Sequence, residues 1–215
     1  MFGYHRNLFV QGSVLVIKDT LHTGKDNYLS QGCDVSDDEI IAACLSGKGQ
    51  AYAVLVERHQ HKVFSVLYRF LGNREASQDM SQEAFITAHQ KLHLFSGRSK
   101  FSTWLCQIAL NKARDMLRGQ GVESLCDDLE DHEDGLSTPE GDSPHRRVEM
   151  AQENARVQRV LNKMPAHYRE VLILKHLEGY SNEEIGEMLG ATVENVKVRT
   201  FRARQMFKQL YEGRV

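Results

Sequence analysis

Apolar residues recur at steps of three and four through most of this chain, which is the spacing of one face of an α-helix. The pattern begins with a capping box formed by Ser36 and Glu39. It predicts four helices in the first half of the chain, over residues 36–45, 51–71, 75–92 and 102–118, with Ser102 or Thr103 as the cap of the fourth. Two more are predicted from residue 146 to about 161 and from 168 to 177, separated by a turn at Met164-Pro165.

A last pair of helices is predicted between Tyr180 and Leu210. Ser181 and Glu184 form a second capping box, Gly190 ends the first helix, and Thr192 caps the second. The second helix has an apolar face and, opposite it, a basic face: Val196, Thr200, Ala203, Phe207 and Leu210 against Lys197, Arg199, Arg202, Arg204 and Lys208. Two short helices with a tight turn, the second one basic, are typical of a helix-turn-helix that reads duplex DNA. A solvated basic face in an ordinary helical bundle is the alternative.

The net charge of −2 conceals a strong segregation of charge. Nine acids and no Lys or Arg lie between Gly119 and His145, whereas the other residues contain 20 acids against 27 Lys and Arg, a net charge of +7. A basic body with one acidic stretch favours a nucleic-acid-binding protein. The acidic stretch has too few apolar residues to fold by itself, so it is predicted to be a flexible linker.

These patterns predict an all-α protein made of two small helical domains, an N-terminal helical bundle and a C-terminal helix-turn-helix domain, joined by the acidic linker. The expected boundaries are a disordered or extended tail over 1–35, the bundle over 36–118, the linker over 119–145 and the helix-turn-helix domain over 146–215. No run of 18 apolar residues exists, so no membrane span is expected.

Catalytic and metal chemistry find little support in the sequence. The four cysteines are scattered with no CxxC pair, which favours free thiols over a disulfide framework or a zinc site. Cys106 and Cys126 are interpreted as buried or incidental thiols rather than oxidation sensors. No nucleotide-binding glycine loop, paired His-carboxylate motif or nucleophile site is present, so we expect no cofactor, no metal and no covalent chemistry.

A second informative region is the loop from His93 to Phe101, which combines cations, small residues and aromatic rings. Cations can follow a phosphate backbone, while flexible loops and aromatic faces can hold unstacked bases. The polar loop residues are therefore predicted to contact nucleic acid, whereas Trp104 is predicted to be a core aromatic residue at the start of a helix.

The run SQDMSQEAFITAHQKLHLFSGRSKFSTWLCQIALNKARDMLR, residues 77–118, resembles region two of bacterial RNA polymerase sigma factors, and Met164–Leu210 resembles their region four. With only a short segment between them, the chain resembles the minimal two-domain type, the extracytoplasmic-function (ECF) sigma factors. The resemblance covers about residues 36–118 and 146–212. It implies an alternative sigma factor that binds core RNA polymerase, recognises −35 and −10 promoter elements and stabilises the melted −10 strand.

The resemblance also implies roles for individual residues. A polymerase-docking face for the β′ clamp helices is implied for Asp79, Met80, Gln82 and Glu83. Contacts with the −10 element, including a loop that holds a flipped base, are implied for Phe95, Ser96, Gly97, Arg98, Ser99, Lys100, Asn111, Lys112, Arg114 and Arg118. Contacts with the −35 element are implied for Thr192, Glu194, Asn195, Lys197, Val198, Arg199, Phe201, Arg202 and Arg204. Three features depart from the family pattern. His89 stands where Trp is common, Val198 stands where Ser is common, and the first 35 residues have no counterpart.

The implied partners are core RNA polymerase, through its β′ clamp helices and β flap, promoter DNA, and an anti-sigma factor. The acidic linker resembles the connector that threads toward the polymerase active centre and RNA exit path, where its charge would mimic RNA. The implied location is the bacterial cytoplasm, with the anti-sigma factor able to hold the chain at the inner membrane. The alternatives are a one-component helix-turn-helix regulator that binds DNA as a dimer, and a metal-dependent nuclease or hydrolase.

Overall fold

The computed structural model describes residues 35–119 and 144–213, and these residues form eight α-helices and no strand. The helices are α1 (Asp37–Leu45), α2 (Tyr52–Leu71), α3 (Arg74–Gln90), α4 (Phe101–Gly119), α5 (Pro144–Asn162), α6 (Ala166–Leu172), α7 (Asn182–Leu189) and α8 (Val193–Tyr211). The all-helical prediction is confirmed. The predicted N-terminal tail, up to residue 34, and the linker residues 120–143 lie outside the described residues.

The chain divides into two compact units, one ending at Arg58 and the other beginning at His59. In the first unit, Ser36 caps α1, and its capping box with Glu39 is present as predicted. The Arg58 guanidinium donates to the Val35 carbonyl at 2.6 Å and lies 3.1 Å from the Asp37 carboxylate. These contacts fix the start of α1 within this unit.

The second unit contains two groups of helices. We call the end of α2 from His59, with α3 and α4, the first helical set, and α5–α8 the second helical set. Small side chains let α3 and α4 approach closely, because Ala84, Ala88, Ala109 and Ala113 are fully buried. In the second helical set, α6 and α7 both pack on α8, with Val171, Ile185, Val196 and Ala203 at zero exposure.

Two predicted helix boundaries are wrong. The helix α4 begins at Phe101, so Ser102 and Thr103 lie in its first turn instead of capping it. The Lys100 carbonyl accepts the amides of Thr103 and Trp104, which starts the helix one residue before Ser102. The helix predicted over 168–177 ends at Leu172 and continues as one π-helical turn over Ile173–Leu177, closed by the Glu178 amide on the Ile173 carbonyl.

Burial along α5 also differs from the apolar pattern. Val148, Ala151 and Ala155 are exposed, although their spacing marked the apolar side of this helix. Burial begins only near its C-terminal end, where Gln158 and Leu161 are covered. The buried apolar side chains of Val160 and Leu161, together with the hydrogen bonds of Gln158, therefore anchor α5 at this end.

The helix-turn-helix prediction is confirmed in detail. Ser181 and Glu184 form the capping box of α7, and the Thr192 hydroxyl accepts the Asn195 amide at the start of α8. Gly190 ends α7 with a φ of 61°, a left-handed conformation that glycine adopts without steric cost. The turn between the helices is therefore set by local sequence.

The two helical sets of the second unit meet at the C-terminal end of α2. The amide of Gln158 donates to the carbonyls of Tyr68 at 3.4 Å and Arg69 at 3.2 Å, and the Arg169 guanidinium donates to the Phe70 carbonyl. A helix leaves its last carbonyls without partners in the helix, and side chains of the second helical set supply those partners here. Gly72 lies so close that a Cβ at its position would be 2.5 Å from the Asn162 side chain.

Three further contacts connect α4 with the second helical set. Gln107 donates to the Glu187 carbonyl at 3.1 Å, and the Tyr180 hydroxyl donates to Cys106 Sγ at 3.5 Å. Burial raises the pKa of the Cys106 thiol, which disfavours the reactive thiolate, as expected for a buried rather than a sensing cysteine. Cys126 lies outside the described residues.

The third contact is an ion pair between Arg114 and Glu170, with 3.1 Å between Nε and Oε2. Glu170 is 5% exposed, and this burial raises the pKa of its carboxyl group, because desolvation exceeds the opposing effects of Arg114 and Arg199. The folded state therefore binds a proton on Glu170 more tightly than the unfolded state does. Its contribution to the free energy of unfolding falls as the pH rises above the ordinary glutamate range.

We expect Glu170→Gln to change the pH dependence of stability in one direction. Because the variant has no carboxylate to desolvate, the free energy of unfolding of the variant minus that of the wild type should become more positive as the pH rises from about 4 to 7. Urea unfolding across this range measures the difference. The matched control is Glu75→Gln, which alters an exposed glutamate of α3. A Glu170→Gln difference that stays constant or falls with rising pH would contradict the assignment.

Candidate nucleic-acid interface

The helix α8 presents one side to the interior and the other to solvent. Its buried side contains Val196, Thr200 and Ala203, and the Thr200 hydroxyl donates to the Val196 carbonyl at 2.8 Å, so this polar side chain needs no external partner. The predicted −35 residues Lys197, Arg202 and Arg204 are exposed. The structure thus places these three cations on the solvent side of the helix.

Apolar side chains accompany these cations. Phe201 is 64% exposed and Val198 is 50% exposed, which is unusual for residues of their size in a folded helix. Arg199 is half-buried, near Glu170. Cations beside an exposed aromatic ring and an aliphatic side chain can contact both phosphates and the apolar edges of bases, such as the methyl group of thymine.

A groove of about 480 Å³ runs beside α8. It is lined by His167 and Tyr168 from the start of α6 and by Glu194, Asn195, Val198, Arg199 and Arg202 from α8. The rings of His167 and Tyr168 lie 4.1 Å apart. These two residues were not predicted as site residues, because the apolar spacing of their segment gives no sign that α6 begins beside α8.

The predicted strand-capturing loop lies between α3 and α4. A 3-10 turn, Leu92–Leu94, precedes it, and Ser96, Gly97, Arg98 and Lys100 are exposed. Gly97 adopts a φ of 68°, which favours glycine. Leu94, which was not predicted as a site residue, is 63% exposed next to this loop.

Aromatic side chains hold the two ends of this loop together. Phe95 lies 5.8 Å from Phe101 and 5.3 Å from Trp104, measured between ring centroids, and Phe101 lies 5.9 Å from Trp104. Phe101 is buried, while Phe95 and Trp104 are half-buried. Trp104 is therefore part of a small aromatic cluster, in line with its predicted structural role.

The polar residues predicted to follow the −10 element lie along α4, and acids accompany most of them. Lys112 lies 2.9 Å from the Glu83 carboxylate, and Arg118 lies 2.7 Å from that of Asp115. Asn111 is exposed. Arg114 differs from the other three in pairing with a buried acid, Glu170, and its side chain is 27% exposed, as is that of Lys112.

The predicted polymerase-docking face lies on α3. Asp79, Gln82 and Glu83 are exposed together, and Met80 is half-buried beside them. Ile86 continues this face, four residues after Gln82, and is 39% exposed. The hydrophobic pattern missed Ile86 because one apolar residue among polar neighbours does not distinguish a docking face from a core position.

Across residues 35–119 and 144–213, no three His, Cys, Asp or Glu side chains are placed to hold a metal ion together. Among the helices that the structure describes, none is long and apolar enough to cross a membrane.

Comparisons with known proteins match both halves of the chain. The family description Sigma-70 region 2 matches residues 55–122, and Sigma-70, region 4 matches residues 154–207. The first covers the loop and the exposed face of α3, and the second covers the helix-turn-helix.

Curated relatives span nearly the same length. The RNA polymerase sigma-H factor of Pseudomonas aeruginosa is 32% identical, with 79% of this chain and 90% of the relative aligned. The ECF RNA polymerase sigma-E factor of Escherichia coli K12 is 33% identical, with 80% of this chain and 92% of the relative aligned. The ECF RNA polymerase sigma factor SigW of Bacillus subtilis is 33% identical, with 76% of this chain and 90% of the relative aligned.

Solved structures share the fold. CnrH, in complex with the cytosolic domain of CnrY, superposes with a TM-score of 0.61 at 28% identity, covering 82% of this chain and 97% of its own. The sigma factor RpoE of Bartonella quintana, in complex with the anti-sigma factor NepR, gives the same TM-score at 18% identity. The alignment covers 75% of this chain and 96% of the RpoE chain. The chain belongs to the ECF family of RNA polymerase sigma factors, and it acts as an alternative sigma factor that directs transcription from promoters.

Proposed function

We propose that this chain divides promoter binding between its two helical sets, with α3, α4 and their loop serving polymerase and the −10 element, and α8 serving the −35 element. The observation that carries the proposal is the separation of two exposed, chemically distinct surfaces on segments that match two different sigma regions. The chain then acts by binding alone, so it is not an enzyme, and promoter melting is driven by the capture of unstacked bases.

The polymerase-docking role belongs to the exposed face of α3. Asp79 and Glu83 offer carboxylates to a basic partner surface, and Ile86 offers an apolar contact at one end of this face. Charged residues at an interface steer association, whereas an apolar residue contributes when the partner covers it. This arrangement suits the clamp helices of the polymerase β′ subunit, and the second helical set is left for the β flap.

The −10 role belongs to the loop 95–100 and to the polar residues of α4. Arg98 and Lys100 are exposed for phosphate contacts, and the aromatic cluster beneath them keeps the loop ends together. Such a loop can receive a base that has left the stack. Asn111, Lys112 and Arg118 extend this surface along α4.

The −35 role belongs to α8, whose N-terminal turns contain Glu194, Asn195 and Lys197 on the exposed side. Arg202 and Phe201 follow one turn later, and His167 with Tyr168 flanks the groove beside them. Phosphate contacts fix the register of such a helix, while base contacts specify the sequence. Thr192 contributes its capped backbone turn at the start of the helix.

An anti-sigma factor is proposed as a regulatory partner, because both structural neighbours named above were solved in complex with a second protein, one of them an anti-sigma factor. The proposed partners, core polymerase and promoter DNA, place the chain in the bacterial cytoplasm. An anti-sigma factor that is itself membrane-bound would hold it at the inner membrane.

Transcription in vitro tests the function as a whole. The purified chain, added to bacterial core RNA polymerase on genomic templates, should produce discrete run-off products that core polymerase alone does not. Equal product patterns with and without the chain would refute the proposal, and tight operator binding without polymerase would favour a one-component regulator.

Asp79→Lys should lower the affinity of the chain for core polymerase. Reversing a charge on a docking face replaces an attraction with a repulsion, so we expect a loss of about tenfold or more in affinity. Fluorescence anisotropy of the labelled chain, titrated with core polymerase, measures the change. The matched control is Glu57→Lys on α2, an exposed acid outside the docking face. Equal losses for the two variants would count against the α3 assignment.

Arg202→Ala should weaken use of the −35 element. If its guanidinium contacts a base edge, the variant should lose about 1–3 kcal/mol of binding free energy. The lost base preference should be confined to one position of the −35 element. Transcription from promoters with single −35 substitutions measures both the size and the position of the effect. Arg159→Ala on α5, which removes an exposed arginine outside the proposed interface, serves as control. Unchanged position preferences in Arg202→Ala would remove this residue from the reading surface.

A further inference from the structure

We propose that Leu94 is a wedge, an apolar side chain that inserts between two neighbouring promoter bases and holds the stack open beside the strand-capturing loop. The proposal rests on the −10 role proposed for the loop 95–100 and adds a residue that the sequence pattern did not single out. Leu94 is 63% exposed, although leucine is ordinarily a buried residue, and it directly precedes the loop.

The backbone around Leu94 is held on both sides. Its amide donates to the Lys91 carbonyl at 2.8 Å, and the Phe95 amide donates to the Leu92 carbonyl at 3.1 Å, which closes the 3-10 turn. Leu92 is 3% exposed and anchors this turn in the interior, while the Phe95 ring belongs to the aromatic cluster of the loop. Leu94 therefore projects from a fixed turn, so little backbone entropy is lost when it meets a ligand.

The aromatic rings of this segment are less suited to enter the stack. Phe101 is buried, and Phe95 and Trp104 are half-buried because the three rings pack on one another. Across residues 91–119, all of which the structure describes, Leu94 is the one large apolar side chain that is exposed. An inserted side chain has to project into solvent before the DNA arrives, and Leu94 meets this condition.

The charge around Leu94 identifies nucleic acid as its partner. The segment 84–114 contains five Lys or Arg and no Asp or Glu. Three of these cations, Lys91, Arg98 and Lys100, are exposed and lie on either side of Leu94 in the sequence. An apolar tip within a basic segment can contact base faces while the cations contact phosphates.

The wedge and the loop would act on neighbouring nucleotides. Successive Cα atoms are about 3.8 Å apart, and successive base pairs of a duplex are about 3.4 Å apart, so a residue next to the loop is next to the gap that a captured base leaves. That gap exposes the faces of the flanking bases to water. The Leu94 side chain covers these faces and thereby offsets part of the cost of unstacking.

Leu94→Gln tests the wedge on two forms of one promoter. The promoter is a fragment on which the wild-type holoenzyme initiates, prepared as a complete duplex and as a duplex with a non-complementary −10 region. Because the second form is already melted, it needs no wedge. Run-off transcription by the variant holoenzyme should fall about tenfold on the complete duplex and stay at the wild-type level on the melted form. Permanganate oxidation of unpaired −10 thymines in the complete duplex should fall in parallel.

Two further variants serve as controls. Leu45→Gln makes the same change on α1, at a residue that is 54% exposed and lies outside the proposed DNA surfaces, and it should leave both templates at the wild-type level. Leu94→Met keeps an apolar side chain of similar volume and should retain most of the activity on the complete duplex. All three variants should bind core polymerase with wild-type affinity, as measured by fluorescence anisotropy.

The outcomes separate the wedge from the proposed function. Equal losses on the two templates, or weaker binding of core polymerase by Leu94→Gln, would overturn the wedge and assign Leu94 to a protein contact. Wild-type activity of Leu94→Gln on the complete duplex, or equal defects in Leu94→Gln and Leu94→Met, would overturn it while leaving the proposed function intact. Failure of the wild type to initiate specifically on any template would refute the proposed function and the wedge with it.

Discussion

One buried arginine connects the two helical sets. The guanidinium of Arg169 donates to the Phe70 carbonyl of α2 and also to the carbonyls of Asn162 and Met164 at the end of α5, at 3.0 and 2.9 Å. The Cζ atom of Arg169 lies 5.9 Å from the centre of the Phe70 ring. Arginine suits this position because its planar group offers several donors in fixed directions and stays charged when buried. Loss of the guanidinium would remove a hydrogen-bond donor from carbonyls in both helical sets. The stability of the second helical set and its packing on the first therefore depend on the same side chain.

The same interface combines stability with electrostatic cost. Glu170 follows Arg169 in sequence and is also buried, but its carboxylate is paired with Arg114 across the interface. A buried ion pair gains attraction and loses solvation, so the two effects offset each other in the free energy of folding. Removal of Arg114 would leave the buried Glu170 carboxylate without its partner, which is the costly change at such a pair.

Local rules of sequence accounted for much of the fold. The capping boxes at Ser36 and Ser181, the left-handed Gly190 and the cap at Thr192 were all predicted, because each depends on residues within four positions. The contacts between the helical sets were not predicted. Gln158 and Arg169 meet α2 across separations of about 90 to 99 residues, and a periodic pattern assigns such polar residues to solvent.

The aromatic cluster beneath the loop 95–100 has a consequence for the base capture proposed above. Since Phe95 and Phe101 contact each other, the two ends of the loop are already joined, and only Ser96–Lys100 remain to adjust around a base. Ordering a short tethered loop costs less conformational entropy than ordering a long free one. Selectivity in the proposed capture would then depend on the shape of a short loop held at both ends, so bases would be discriminated by fit more than by the loop folding around them.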